Sequence, residues 1–298
     1  MGLSGWQQGN GQAMTEQSEQ PPQTQEYPGR TDAMTPKPRD EMADYQGRDL
    51  LKGKIALITG GDSGIGRAVA VAFAKEGADV AIAYLSEHDD ARHTADLVEA
   101  QGRRCLLLPG NLAEEHHCAE VVERTVAELG GLNVLVNNVA YQQPAQQLEE
   151  ISGKQWEHTF AVNVGSYFHV TKAALPHLGR GDAIINTGSV NGIRGNAHLI
   201  DYSATKGAVH VLTFSLAQSL VDKGIRVNCV APGPVWTPLI PATFEADKVA
   251  SFGEQAPMGR AAQPDEIAPS YVFFAAERMS SYYSGEVLAP VGGETHPG

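Results

Sequence analysis

The chain has 298 residues, 42% hydrophobic and 19% charged, which suits one large globular domain or two small ones and includes no apolar stretch long enough to span a membrane. A formal net charge of −13 argues against nucleic-acid binding, which needs a basic face to displace phosphate counterions. The opening MGLSGWQQGN lacks the basic and apolar regions of a secretory signal, and Cys105, Cys118 and Cys229 show no CxxC spacing, so they read as buried, reduced thiols of a cytoplasmic protein.

Residues 1–48 carry Gln- and Pro-rich text such as QSEQPPQTQEYPGR and TPKPRD, with few aliphatic side chains. Such a segment buries too little apolar surface to offset its ordering entropy, so it reads as a disordered or surface-draped arm. The sharper alternative is an arm laid over its own domain or a neighbouring subunit and anchored by Trp6, Tyr27 or Met34.

Residues 49–298 form the second unit. Seven short apolar runs, at 54–59, 79–84, 104–109, 132–137, 182–187, 225–230 and 286–291, read as strands buried on both faces. Amphipathic stretches such as 65–77, 90–102 and 113–130 lie between them and close on glycine, as helices do. Strands alternating with helices predict a doubly wound, seven-stranded parallel sheet of Rossmann type in one α/β domain, with ligands at the C-terminal strand ends.

After the first strand comes Thr59-Gly60-Gly61-Asp62-Ser63-Gly64-Ile65-Gly66, leading into a helix. Glycines let the backbone approach a pyrophosphate, and the helix N-terminus offers free N–H donors and a favourable dipole. The spacing is GxxxGxG rather than GxGxxG. The string Gly61-Asp62-Ser63-Gly64 also echoes a serine-protease nucleophile loop, but no His and buried Asp are placed to complete a triad.

Tyr202 and Lys206 stand four residues apart, on one face of a helix. A lysine cation at roughly 4 Å, with an effective dielectric near 20, favours the phenolate by about 4 kcal/mol and would lower the tyrosine pKa by up to about three. The pair alone is common by chance. Here Ser189 follows the fifth strand, Asn163 lies on a helix beside the sheet, Asn137-Asn138 ends the fourth strand, and Pro232-Gly233 follows the sixth. All fall on one side of one sheet.

With these motifs the chain resembles the short-chain dehydrogenase/reductase family: TGGDSGIG for its TGxxxGIG loop, NNVA for its NNAG, Ser189, Tyr202 and Lys206 for its triad, Asn163 for its fourth catalytic residue, and PGPVWT for its PG turn. The arm followed by GRDLLKGKIALITGGDSGIGRAVA is similar to a bacterial general-stress, glucose-dehydrogenase-like subgroup. The resemblance implies hydride transfer between a nicotinamide dinucleotide and a small aldehyde, ketone or sugar-like carbonyl or alcohol, without a metal. Tyr202 would move the proton, Ser189 orient the substrate oxygen, Lys206 lower the Tyr202 pKa and hold the ribose, and Asn163 hold a proton-relay water. The implied cofactor surface is Gly60, Asp62, Ser63, Gly64, Ile65, Gly66, Tyr84, Leu85, Asn111, Leu112, Asn138, Val139, Ala140, Pro232, Gly233, Val235 and Thr237, together with Tyr202 and Lys206. It also implies a homotetramer.

The chain departs from the family pattern in two places: Val139-Ala140 replaces Ala-Gly, and Asn111 stands where an Asp contacts adenine. Neither an acid nor an Arg stands at the expected place after the second strand, which reads Ala83-Tyr84-Leu85-Ser86-Glu87; without the Arg, NAD is slightly favoured over NADP. Residues 236–260 read as a substrate lid whose Trp236, Leu239 and Phe244 would give an apolar cover, with Tyr141, Gln142, Asn191 and Ile193 shaping the pocket. His88, His93, His116 and His117 lack metal-ligand spacing and read as solvated helix positions. The competing function is a catalytically silent dinucleotide sensor on the same fold.

Overall fold

The structure, a computed structural model, describes residues 20–295. Seven strands form one parallel sheet: β1 (Ile55–Thr59), β2 (Asp79–Tyr84), β3 (Cys105–Pro109), β4 (Val134–Asn137), β5 (Ala183–Thr187), β6 (Arg226–Val230) and β7 (Val287–Leu288). Their order is β3-β2-β1-β4-β5-β6-β7. β1 pairs with β2 on one side and β4 on the other, so the chain reverses direction across the sheet between β1 and β4, where a crevice opens at the strand ends.

Strand side chains alternate between two apolar layers, as a period of two requires. Ala56 and Ile58 face one, packed on α1 (Gly64–Lys75) with α2 (His88–Glu99) beside it. Leu57 faces the other, packed on α3 (Glu115–Leu129). Further along come α4 (Gly153–Phe160), a π turn at Ala161–Gly165, α5 (Ser166–Ala174), the short α6 (Asn191–Arg194) and α7 (Ile200–Leu220). After β6 come the two lid helices α8 (Leu239–Thr243) and α9 (Ala246–Ala250), then α10 (Pro264–Ala275) and α11 (Glu277–Ser280). α5 and α7 join the α3 layer, and α10 joins the α1 layer. No helix among the described residues is long and apolar enough to cross a membrane.

The seventh strand is shorter than the sequence pattern suggests, two residues rather than six. Pro290 has no N–H for the ladder, and Gly292 and Gly293 take positive φ, so pairing ends at Leu288.

Of the arm, residues 20–48 are described, and Trp6 lies outside them. Met34 is buried with Trp236, Ile240, Val249 and Ala261. Met42 enters the main core beside α1 and α10. The arm backbone is fastened at many points: the Thr31 N–H donates to Asp90, the Met42 N–H to Asp265, and Lys75 donates to the Met42 carbonyl.

Candidate active site

The phosphate loop is built on backbone contacts that only glycine permits. A Cβ on Gly66 would sit 1.8 Å from the Gly60 carbonyl oxygen. Gly64 has φ +52°, and its Cβ would lie 2.9 Å from Cγ2 of Thr237. This bare backbone opens α1, whose first-turn N–H groups lack intrahelical acceptors. A dinucleotide pyrophosphate fits such a cradle. Asn138 braces the loop from β4, donating to the Thr59 and Gly60 carbonyls, while the Asn138 and Val139 N–H groups donate to Thr59 Oγ1.

Sequence reasoning passed over the support beneath this loop. The Arg67 guanidinium, 1% exposed, donates to the Asp62 carbonyl at 2.8 Å and pairs with Asp90 at 2.7 Å. Asp40, from the arm, accepts from Arg67 and from the Gly64 N–H at 3.0 Å. Asp62 itself is buried, which pushes its carboxyl up to about 6.

Ser189, Tyr202, Lys206 and Asn163 are brought together at the β4–β5 side of the crevice. Ser189 follows β5, accepts from the Asn191 N–H at 3.1 Å and lies close enough to the Tyr202 phenol to favour its ionised form. Lys206 is fully buried one turn along α7, its Nζ 5.6 Å from the Tyr202 ring centroid. Nζ donates to the Thr187 carbonyl at 2.7 Å, with Tyr167 Oη at 3.4 Å. Asn163 lies in the π turn, a helix irregularity common at functional sites. Its Oδ1 accepts from the Tyr141 N–H, and Nδ2 donates to the Tyr141 carbonyl and to Thr205 Oγ1. Thr205 in turn donates to the Tyr202 carbonyl. Both amide hydrogens of Asn163 are committed to protein groups, so this side chain ties the β4 loop to α7 and leaves only the second lone pair of Oδ1 for a further partner.

The electrostatics differ from the expected picture of a lysine-depressed tyrosine. Burial pushes Tyr202 up to about 12, and the opposing influence is the nearby Ser189 hydroxyl rather than the Lys206 cation. Burial likewise pulls Lys206 down to about 8. The reason is geometric: Nζ is directed at the Thr187 carbonyl, over the ring of Tyr202 rather than at its oxygen. His210, buried beside them, is pulled down to about 4 by burial and by the Lys206 charge. Neither Tyr167, whose hydroxyl donates to the Val139 carbonyl, nor His210 carries a sequence motif that singles it out.

On the other flank, several expected cofactor side chains also have partners within the protein. Tyr84 is buried, its hydroxyl 3.0 Å from His88 Nδ1, and Leu112 packs in the α3 layer. Asn111 Oδ1 accepts from the Ala113 N–H, closing its own turn ahead of α3. Leu85 is exposed. Glu87 follows, folded back so that Ser86 Oγ donates to its carboxylate at 2.7 Å. Glu87 is buried near Asp62.

The lid also differs. Trp236 is fully buried, and its indole N–H donates to the Pro36 carbonyl at 2.9 Å; Phe244 turns towards Phe252 in the same cluster. The arm provides Met34 as their apolar partner, so they anchor the arm rather than cover a substrate. Gln142 donates to Thr243 at 2.9 Å, tying the lid to the β4 loop. Val235 bridges Ala262, and the Gly233 N–H donates to Pro290, which holds the turn after β6. Pro232 accepts from the Val190 N–H, fixing that turn beside Ser189. Of the histidines, His117 is buried against Gly110 rather than solvated, and His93 contacts Glu41 of the arm.

A family model described as Enoyl-(Acyl carrier protein) reductase matches residues 60–295. General stress protein 39 of Bacillus subtilis is 54% identical over 276 residues, covering 92% of this chain and 96% of that protein. NADPH-dependent aldehyde reductase 1 of Arabidopsis thaliana is 48% identical over 272 residues, covering 89% and 94%. Among solved structures, a short-chain dehydrogenase from Burkholderia cenocepacia in complex with NADP superposes with a TM-score of 0.77 at 32% identity, covering 82% of this chain and 98% of that one.

Proposed function

Because this chain belongs to the short-chain dehydrogenase/reductase family, whose members are oxidoreductases, we propose that it interconverts a small carbonyl compound and its alcohol, with Tyr202 as proton donor. The observation that carries this reading is the convergence of Ser189, at the end of β5, with the buried Tyr202 phenol that it influences, and Lys206 buried one turn along α7. A nicotinamide dinucleotide, when bound, supplies or takes up the hydride. Gly60, Gly64, Ile65 and Gly66 would hold its pyrophosphate, and Asn138, Val139 and Thr237 would border it.

Tyr202 keeps its proton at neutral pH and can give it to a carbonyl oxygen as negative charge develops there. Ser189 holds that oxygen beside the phenol. Lys206 places a cation close enough to stabilise the phenolate left behind. Asn163 keeps the β4 loop and α7 in register, which fixes the Tyr202 backbone. The substrate class is a small aldehyde or ketone, in keeping with the aldehyde reductase among its relatives. On the ribose side, the buried Glu87 and Asp62 would repel a 2′-phosphate, so NADH should bind at least as tightly as NADPH; a tenfold preference for NADPH would overturn that part.

The test is Tyr202→Phe, assayed as aldehyde-dependent oxidation of NADH and NADPH. Turnover should fall by about a hundredfold to ten-thousandfold, with dinucleotide affinity retained. Unchanged turnover would remove Tyr202 from the chemistry. A wild type that binds dinucleotide but turns over no carbonyl in a broad screen would favour a sensor instead.

A further inference from the structure

We propose that residues 20–48 form a wall of the dinucleotide cleft, and that Tyr27 closes over the bound cofactor as a contacting residue; this rests on the dinucleotide reading above. The arm is fastened to the phosphate loop, to α2 and to the segment after β6. At the phosphate loop, Asp40 accepts from the Gly64 N–H and pairs with Arg67. At α2, the Thr31 N–H donates to Asp90 at 2.9 Å. At the lid, the Gln25 N–H donates to the Pro241 carbonyl at 2.7 Å, and Trp236 donates to Pro36. Gly29 lies so close to α8 that a Cβ there would stand 2.2 Å from the Pro238 oxygen.

Tyr27 lies between these fastenings. Its ring meets Tyr141 edge to face, with centroids 5.2 Å apart, and Tyr141 stands on the β4 loop held by Asn163. Its phenol is also within electrostatic reach of Glu87 and Asp62. Those partners follow β4, β2 and β1, the strands on both sides of the crevice. Tyr27 thus touches the β4 loop and faces the charged groups that follow β1 and β2. Its hydroxyl, pushed up to about 12, stays protonated and can both donate and accept. A ring and a hydroxyl in that place suit the sugar and base of a dinucleotide, and they exclude water from it.

The wider consequence is that the arm belongs to the binding site. Fastening the phosphate loop, lid and β4 loop with one strand of chain makes their spacing depend on that strand.

The experiment is a fluorescence titration with NADH and NADPH of wild type, Tyr27→Ala, Tyr27→Phe and Met34→Ala, with thermal unfolding of each. Tyr27 is 38% exposed, so its replacement should leave the melting temperature in place. Tyr27→Ala should raise the dinucleotide Kd about tenfold, Tyr27→Phe should recover part of it, and Met34→Ala, which loosens the arm from Trp236, should also weaken binding. A second readout is proteolysis within residues 20–48, which bound NADH should slow in wild type and not in Tyr27→Ala. Wild-type binding with an unchanged Kd in Tyr27→Ala overturns this inference alone. A wild type that binds neither dinucleotide overturns the functional reading and this inference with it.

Discussion

Asp40 of the arm and Arg67 of α1 form an ion pair 3.2 Å apart with side chains 2% and 1% exposed. Burial raises the Asp40 carboxyl to about 6 even with the guanidinium beside it, so its charge depends on that partner. Asp90 shares Arg67 but does not reach the Gly64 N–H, which Asp40 caps. Asp40→Ala should therefore destabilise the fold by about 3 kcal/mol, because it leaves a buried cation short of one partner. Asp40→Asn should retain part of that, since an amide oxygen can still accept from Gly64. Urea unfolding at pH 7 measures both; equal stability of Asp40→Ala and wild type would show that the pair is energetically idle.

Gly66→Ala should abolish the phosphate loop, because the added Cβ would lie 1.8 Å from the Gly60 carbonyl oxygen, a backbone atom that cannot swing aside. The expected effects are a stability loss of about 2 kcal/mol or more and loss of detectable dinucleotide binding. Gly153→Ala is the internal control. It lies at the start of α4 with nothing within 4 Å of the added atom, so it should be neutral or stabilising by up to about 1 kcal/mol. Similar behaviour of the two variants would refute the argument from close approach.

The sheet was legible because strands buried on both faces leave uninterrupted apolar runs; six of the seven fall within a residue or two of the runs read from sequence. The convergence of Ser189, Tyr202 and Lys206 was legible because their motif has a fixed spacing. What stayed hidden depends on partners far away in the chain. Trp236 reads as a lid residue until Met34 and Pro36, two hundred residues earlier, are seen to enclose it. Arg67 carries no motif of its own, and its part emerges only where Asp40 and Asp90 converge on it. Asn111 and Leu112 occupy family positions, yet local turn closure and core packing claim their side chains.

Lys206 sets an expected pH dependence for the reductive direction. Burial pulls it down to about 8, while Tyr202 stays protonated up to about 12. Below pH 8 both the proton on Tyr202 and the cation beside it are present, so kcat/KM for carbonyl reduction should be flat there. As pH rises through about 8, Lys206 loses its charge and the rate should fall. Lys206→Met should be slower by about a hundredfold and lack this inflection. An inflection that persists in Lys206→Met would assign it to another group.

His210 makes a separate prediction about acid stability. It is 6% exposed on α7, and its Nε2 has no hydrogen-bond partner. Gly188, which precedes Ser189, leaves the room it occupies, since a Cβ there would stand 2.3 Å from Nε2. Burial, then the Lys206 charge, pulls its pKa down to about 4, below the ordinary value of 6.5. A histidine depressed in the folded state is neutral in both states above pH 6.5, where it costs nothing. Between pH 6.5 and about 4 the unfolded chain binds a proton that the folded one resists, so stability is lost as pH falls through that window. From the two pKa values the loss at pH 4 is about 3 kcal/mol. Carboxylates titrating over the same range act equally in wild type and in His210→Gln, so the difference between the two isolates this group. His210→Gln should lose about 3 kcal/mol less between pH 7 and pH 4 by urea unfolding, and parallel pH profiles would show that His210 is charged, or accessible to water, in the folded protein.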